Sequence, residues 1–147
     1  MTTIYLDNCS LQRPYDDQAQ VRIRLETEAI LAVITLFEQQ QVELVASETL
    51  YFEAERTPVP RRKKYILQLL EEASNYIVTS PPIVRRAKQI EASGVKPFDA
   101  LHLATAMEAG ADYFCTCDDK FLKRAKRAET GKTQVVSPLE LIEALEQ

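Results

Sequence analysis

The chain has 147 residues, 46% of them hydrophobic and 27% charged, with a formal net charge of −4. That length suits one domain with a single core, and that composition belongs to a folded globular chain rather than a disordered one. The acidic balance excludes a global pull toward nucleic acid, so a nucleic-acid partner would need a local basic patch. No apolar run approaches the ~20 residues that span a bilayer. The opening MTTIYLD lacks the basic and apolar regions of a secretory signal, so the cytoplasm is the expected location and no membrane partner is expected.

In chain order, Thr3–Leu6 is a short apolar run ending at Asp7, which predicts a buried strand with a carboxylate at its C-terminal end. Asn8-Cys9-Ser10 reads as a polar turn, and residues 12–18 as a loop. From about Ala19 to Gln41, Val21, Leu25, Ala29, Val33, Leu36 and Phe37 recur at helical spacing. Val42–Ala46 predicts a second strand, and Ser47 is an N-cap for a helix over Glu48–Glu55. Pro58 and Pro60 end that helix, and another is predicted from about Arg61 to Ser74.

Tyr76–Thr79 predicts a third strand, and Ile83–Ala92 a further helix. Lys96–Gly110 has Pro97 at a helix start, Gly110 at its stop, and an almost wholly apolar body. Such a helix belongs inside a domain. Its first turn nevertheless carries Asp99, and on the same side follows His102, the only histidine, read as a hydrogen-bonded structural residue. Asp112–Thr116 predicts a fourth strand ending in Asp118 and Asp119. Phe121–Ala128 predicts a helix, Gln134–Val136 a fifth strand, and Ser137-Pro138 opens the last helix.

Strands thus alternate with helices throughout. The expected fold is a single α/β domain over residues 1–147, a three-layer α/β/α sandwich around a central, mostly parallel five-stranded sheet. The three cysteines, Cys9, Cys115 and Cys117, make no disulfide framework and are expected to be buried thiols. Cys115 and Cys117 are assigned to opposite faces of the fourth strand, and so not to one shared metal.

If the first and fourth strands are neighbours, Asp7, Asp99 and Asp118 meet at the sheet edge where α/β proteins bind ligands, with Glu53 reaching in from the helix after the second strand. Each acid taken singly is explained as a cap, a turn former or a first-turn residue. Clustered, they repel one another unless a cation neutralises them. Hard divalent ions with oxygen ligands suit that task.

Four stretches then carry a family resemblance: YLDNCSL at 5–11, VASETLYFEAER at 45–56, PFDALHLATA at 97–106 and FCTCDDKFLKRA at 114–125. In this order and spacing the chain resembles the PIN-domain nucleases, the family that includes the VapC-like toxins of VapBC-type toxin–antitoxin systems. The resemblance implies a divalent-metal-dependent endoribonuclease with Asp7, Glu53, Asp99 and Asp118 as its acidic site, and with Asp7, Asp99 and Asp118 holding Mg²⁺ or Mn²⁺. It implies Thr116 as a supporting polar residue, single-stranded or looped RNA as substrate, and a small antitoxin protein or a second copy of the chain as possible partners.

Glu48 is the alternative to Glu53, and Asp119 a weaker alternative to Asp118. The opening departs from the family's D-T-N/S, reading Asp7-Asn8-Cys9-Ser10. Lys120, Lys123 and Arg124, which follow Asp118 directly, are the basic residues assigned to RNA. The competing readings are a non-catalytic PIN-like module that binds RNA or protein, and a phosphoryl-accepting receiver domain. The receiver domain is disfavoured because neither Lys126 nor Lys132 ends an apolar strand.

Overall fold

A computed structural model describes residues 1–146. Its elements are β1 (Thr2–Leu6), α1 (Asn8–Gln12), a 3₁₀ turn (Arg13–Tyr15), α2 (Val21–Glu38), β2 (Val42–Ser47), α3 (Glu48–Glu55), α4 (Pro60–Glu72) and β3 (Asn75–Ile77). There follow α5 (Pro81–Glu91), α6 (Pro97–Glu108), β4 (Tyr113–Cys115), α7 (Asp119–Ala125), β5 (Gln134–Val136) and α8 (Pro138–Leu145). The sheet runs β3-β2-β1-β4-β5, and all four pairings are parallel.

Parallel neighbours need crossover helices, and those helices cover the sheet. The central strands show it. Ile4, Tyr5 and Leu6 of β1 and Leu44, Val45 and Ala46 of β2 are all buried. Consecutive strand residues face opposite sides, so burial of three in a row means that both faces are covered. Inside, the Tyr5 ring stacks on Phe114 at 5.1 Å between centroids, and Phe114 meets Phe121 edge-on at 5.4 Å. Truncating Phe114 to alanine would cost about 3–5 kcal/mol.

Strand β1 lies at the centre because the chain builds β2 and β3 on one side of it, then crosses over to place β4 and β5 on the other. Ligands bind beyond the carboxyl ends of the strands at such a switch point. The register aligns those ends: Leu6 pairs with Cys115, and the Asp7 N–H donates to the Cys115 carbonyl at 3.1 Å.

Several expectations move. Asn8-Cys9-Ser10 begins a helix rather than a turn, because the Asp7 side chain accepts from the Ser10 N–H at 3.0 Å and caps it. Helix α2 stops at Glu38, ahead of Gln40, whose φ of 61° leaves the helical region. Cys115 and Cys117 do not diverge. Ser10 Oγ lies 3.8 Å from one sulfur and 3.7 Å from the other. Residues i and i+2 of an extended chain share a face, which the assignment to opposite faces overlooked.

Candidate active site

The carboxyl ends of β1 and β4, the wall of α3 and the first turn of α6 enclose a cleft of about 290 Å³. Asp7, Glu53, Asp99 and Asp118 all line it, together with Asn8, Cys9, Gln12, Asp16, His102 and Phe121. No lysine or arginine is among those lining residues. The four acids expected from the sequence are therefore together.

Asp7 is 6% exposed. Its carboxylate accepts from the Ser10 N–H at 3.0 Å and from the Cys9 thiol at 3.1 and 3.2 Å. Burial raises its pKa, opposed by hydrogen bonds from Thr116, Cys9 and Ser10. The Cys9 thiol is itself pushed up by its neighbour Cys117, by burial and by the negative Asp7, so it remains an S–H donor. In this chain a thiol makes the directional contact to the Asp7 carboxylate. Thr116, 1% exposed, accepts from the Asp118 N–H at 3.1 Å and lies 3.5 Å from Cys9 Sγ. It links the two strand ends.

Asp118 caps α7, accepting from the Lys120 and Phe121 N–H groups at 3.0 and 3.2 Å. Asp99 stands in the first turn of α6, where the N-terminal helix field favours a negative charge. Its pKa is nevertheless raised, first by burial and then by the charges of Asp7, Asp118 and Glu53. Burial and repulsion among the acids both act against its charged form.

Glu53 Oε1 lies 2.5 Å from His102 Nε2. The other ring nitrogen of His102 is 2.6 Å from the Tyr5 hydroxyl, which is 2.8 Å from Ser47 Oγ, and Ser47 accepts from the Leu50 N–H at 3.0 Å. His102, Tyr5 and Ser47 are fully or nearly fully buried. The structural reading of His102 is thus incomplete: it packs, and it also holds one of the four acids.

The alternatives fall elsewhere. Glu48 is exposed, accepts from the Thr79 N–H at 3.3 Å and does not line the cleft. Asp119 is exposed and tied to Arg22 by two hydrogen bonds of 2.7 and 2.6 Å, and that bidentate contact lowers its pKa. Lys120, Lys123 and Arg124 are not among the cleft-lining residues; the two lysines are exposed. Sequence reasoning missed Asp16, which lines the cleft while paired to Arg13 at 2.9 Å and Arg62 at 3.0 Å. The available signal was the coincidence of an Asp pair and a basic run, and nothing local joins residues so far apart.

The donor chemistry fits a hard divalent cation: carboxylate oxygens from four elements, short of positive charge, on one cleft wall. Among the described residues, no three His, Cys, Asp or Glu side chains are grouped so as to hold a metal ion between them.

Fold and cleft together define a small parallel α/β domain with an acidic centre at its topological switch point. The chain belongs to the PIN domain family, whose model matches residues 10–127 and so begins just after Asp7. Two solved structures are similar in fold, each with a TM-score of 0.56. PAE2754 from Pyrobaculum aerophilum is 13% identical, over 99% of this chain and 96% of that one. VapBC2 from Rickettsia felis, solved bound to a DNA fragment from its promoter, is 12% identical over 92% of this chain and 98% of that one. No curated protein matches by sequence. No helix among the described residues is long and apolar enough to cross a membrane.

Proposed function

We propose that this protein is a divalent-metal-dependent endoribonuclease and the toxin of a toxin–antitoxin pair. The observation that carries the reading is the cleft itself: Asp7, Glu53, Asp99 and Asp118 come to it from four separate elements, with no lysine or arginine among its lining residues. Membership of the PIN domain family and a fold like that of VapBC2 support it.

Asp7, Asp99 and Asp118 would hold Mg²⁺ or Mn²⁺, which when bound activates water near neutral pH and offsets charge on the phosphate. The chain's own residues do the rest. Ser10 and Cys9 fix the Asp7 carboxylate, and the α7 amides fix Asp118. His102 holds Glu53 at the wall, where its free carboxylate oxygen can take the proton of the attacking water. Water adds to phosphorus, a P–O bond of the chain breaks, and the leaving oxygen takes up a proton. Single-stranded or looped RNA is the proposed substrate, since its backbone can bend into an open cleft.

Lys120, Lys123 and Arg124 lie on the helix that Asp118 caps and are proposed to draw the RNA backbone toward the cleft. If charge reversal at all three leaves cleavage and its salt dependence unchanged, that assignment is wrong. A small antitoxin protein over the cleft and a homodimer are the proposed partners.

The test is cleavage of single-stranded RNA in Mg²⁺ and in Mn²⁺ by wild type and Asp99→Asn. Loss only in the variant supports the site, and equal cleavage by both sinks it. One observation favours the alternative, a PIN-like module that binds RNA or protein without cutting it: among the described residues, no three His, Cys, Asp or Glu side chains are grouped to hold a metal ion. Calorimetric titration with Mn²⁺ separates the two, because an inert module takes up no metal that Asp99→Asn abolishes.

A further inference from the structure

A second depression, of about 420 Å³, opens directly beside the acidic cleft and shares Asn8, Gln12 and Glu53 with it. Its remaining walls are Phe52, Arg56, Thr57, Pro58 and Phe98. Phe52 is 48% exposed, an uncommon place for a large apolar ring. The Arg56 guanidinium lies over that ring, 3.4 Å from its centre, and donates to the Phe52 carbonyl at 3.0 Å. Phe98 stands 5.9 Å from Phe52 and is braced edge-on against His102 at 5.1 Å. Arg56 pairs with no carboxylate among the described residues.

At the seam between the two depressions, Asn8 Oδ1 is buried without a hydrogen-bond partner among the described residues. A buried acceptor left bare is unfavourable unless something donates to it.

We infer that the Phe52–Arg56–Phe98 shelf binds the base of a nucleotide next to the RNA bond being cut. The inference rests on the proposed function. Aromatic faces and guanidinium planes stack on bases of any identity, and an unpaired cation suits the adjoining phosphate. Continuity with the cleft through Glu53 and Asn8 places a base on the shelf while its phosphate lies among the acids. Single-stranded RNA satisfies both ends, because its bases can splay away from the backbone.

The test is fluorescence anisotropy with a labelled ten-nucleotide oligouridylate and its counterpart made wholly of abasic nucleotides. Both are titrated with Asp99→Asn alone and with Phe52→Ala, Phe52→Leu or Phe52→Tyr added. Stacking is worth about 1–3 kcal/mol per base, so Phe52→Ala should weaken oligouridylate binding roughly tenfold. Phe52→Leu should weaken it nearly as much, Phe52→Tyr should restore it, and abasic RNA should bind weakly whatever stands at this position. Phe52 is exposed enough for all three variants to fold, which a thermal melt checks.

If wild type cleaves RNA while Phe52→Ala and the abasic substitution leave binding unchanged, the shelf does not read bases and the inference falls alone. It falls also if Phe52→Ala releases a co-purifying protein but not RNA, for then the shelf receives a protein. If wild type neither cuts nor binds RNA, the nuclease reading fails and takes the inference with it.

Discussion

His102 Nε2 lies against Glu53 Oε1, and behind it a buried hydrogen-bond chain runs from His102 Nδ1 through the Tyr5 hydroxyl and Ser47 Oγ to the Leu50 N–H, which donates to Ser47.

Tyr5→Phe tests that chain. It keeps the ring stacked on Phe114 but removes the partner of His102 Nδ1 and one of the two partners of Ser47 Oγ. Stability should fall by about 1–3 kcal/mol, read from urea denaturation. On the proposed function, kcat drops while KM holds, since the placement of Glu53 is disturbed and RNA binding is not.

Asp118→Asn separates capping from catalysis. Asparagine caps a helix as well as aspartate does, and the contacts to Lys120 and Phe121 N–H groups need only one side-chain oxygen. The melting temperature should stay within a degree or two of wild type. RNA cleavage in Mg²⁺ should fall at least ~100-fold, as loss of several kcal/mol of charge stabilisation requires. A variant that unfolds, or that still cuts, contradicts this separation.

Asp99 gives a pH signature. Burial and three neighbouring carboxylates raise its folded pKa above the ordinary 3.8. Its protonated form is thus favoured by folding: the contribution is fully present below that ordinary value and is lost as pH rises through the raised one. Metal-free Asp99→Asn escapes this loss. At pH 7 in a chelator it should melt above wild type, by about 2–4 °C for each kcal/mol of repulsion relieved. Added Mn²⁺ should raise the melting point of wild type and leave that of the variant unchanged. Identical melting of the two chelated proteins from pH 3 to 7 would show that the repulsion is absent.

Glu26 is 2% exposed in α2, with Oε1 3.3 Å from Arg13 Nε and Oε2 3.5 Å from the exposed Arg22. The Arg13 contact lacks hydrogen-bond alignment, so it acts through charge alone. Glu26→Ala removes one of the two carboxylates facing Arg13 but leaves its 2.9 Å pair with Asp16, and should cost about 1–3 kcal/mol in urea denaturation. Arg13→Met with Glu26→Met should recover most of that loss in a double-mutant cycle.

The strand ends were readable because parallel strands buried on both faces are continuous apolar runs, and TIYL and VELVA stop abruptly at polar residues. Asp7, Glu53, Asp99 and Asp118 could be placed in one cleft from that pattern together with the family resemblance. Local chemistry hid the rest. The end of α2 is marked by Gln40 rather than a glycine, so no residue type announces it. Asp16, Arg13 and Arg62 form one cluster only after α1, the 3₁₀ turn and α4 are packed together. The partnership of His102 with Glu53 crosses from α6 to α3, and no periodicity within either helix encodes it.

The central position of β1 has a temporal side. Asp7 enters first and Asp118 last, and the register that brings their strands together pairs Leu6 with Cys115. During synthesis the edge of the first strand that takes β4 has no partner until residues 113–115 have left the ribosome. No shorter nascent fragment assembles the four acids. A cell making this protein meets the finished centre only when almost the whole chain is out.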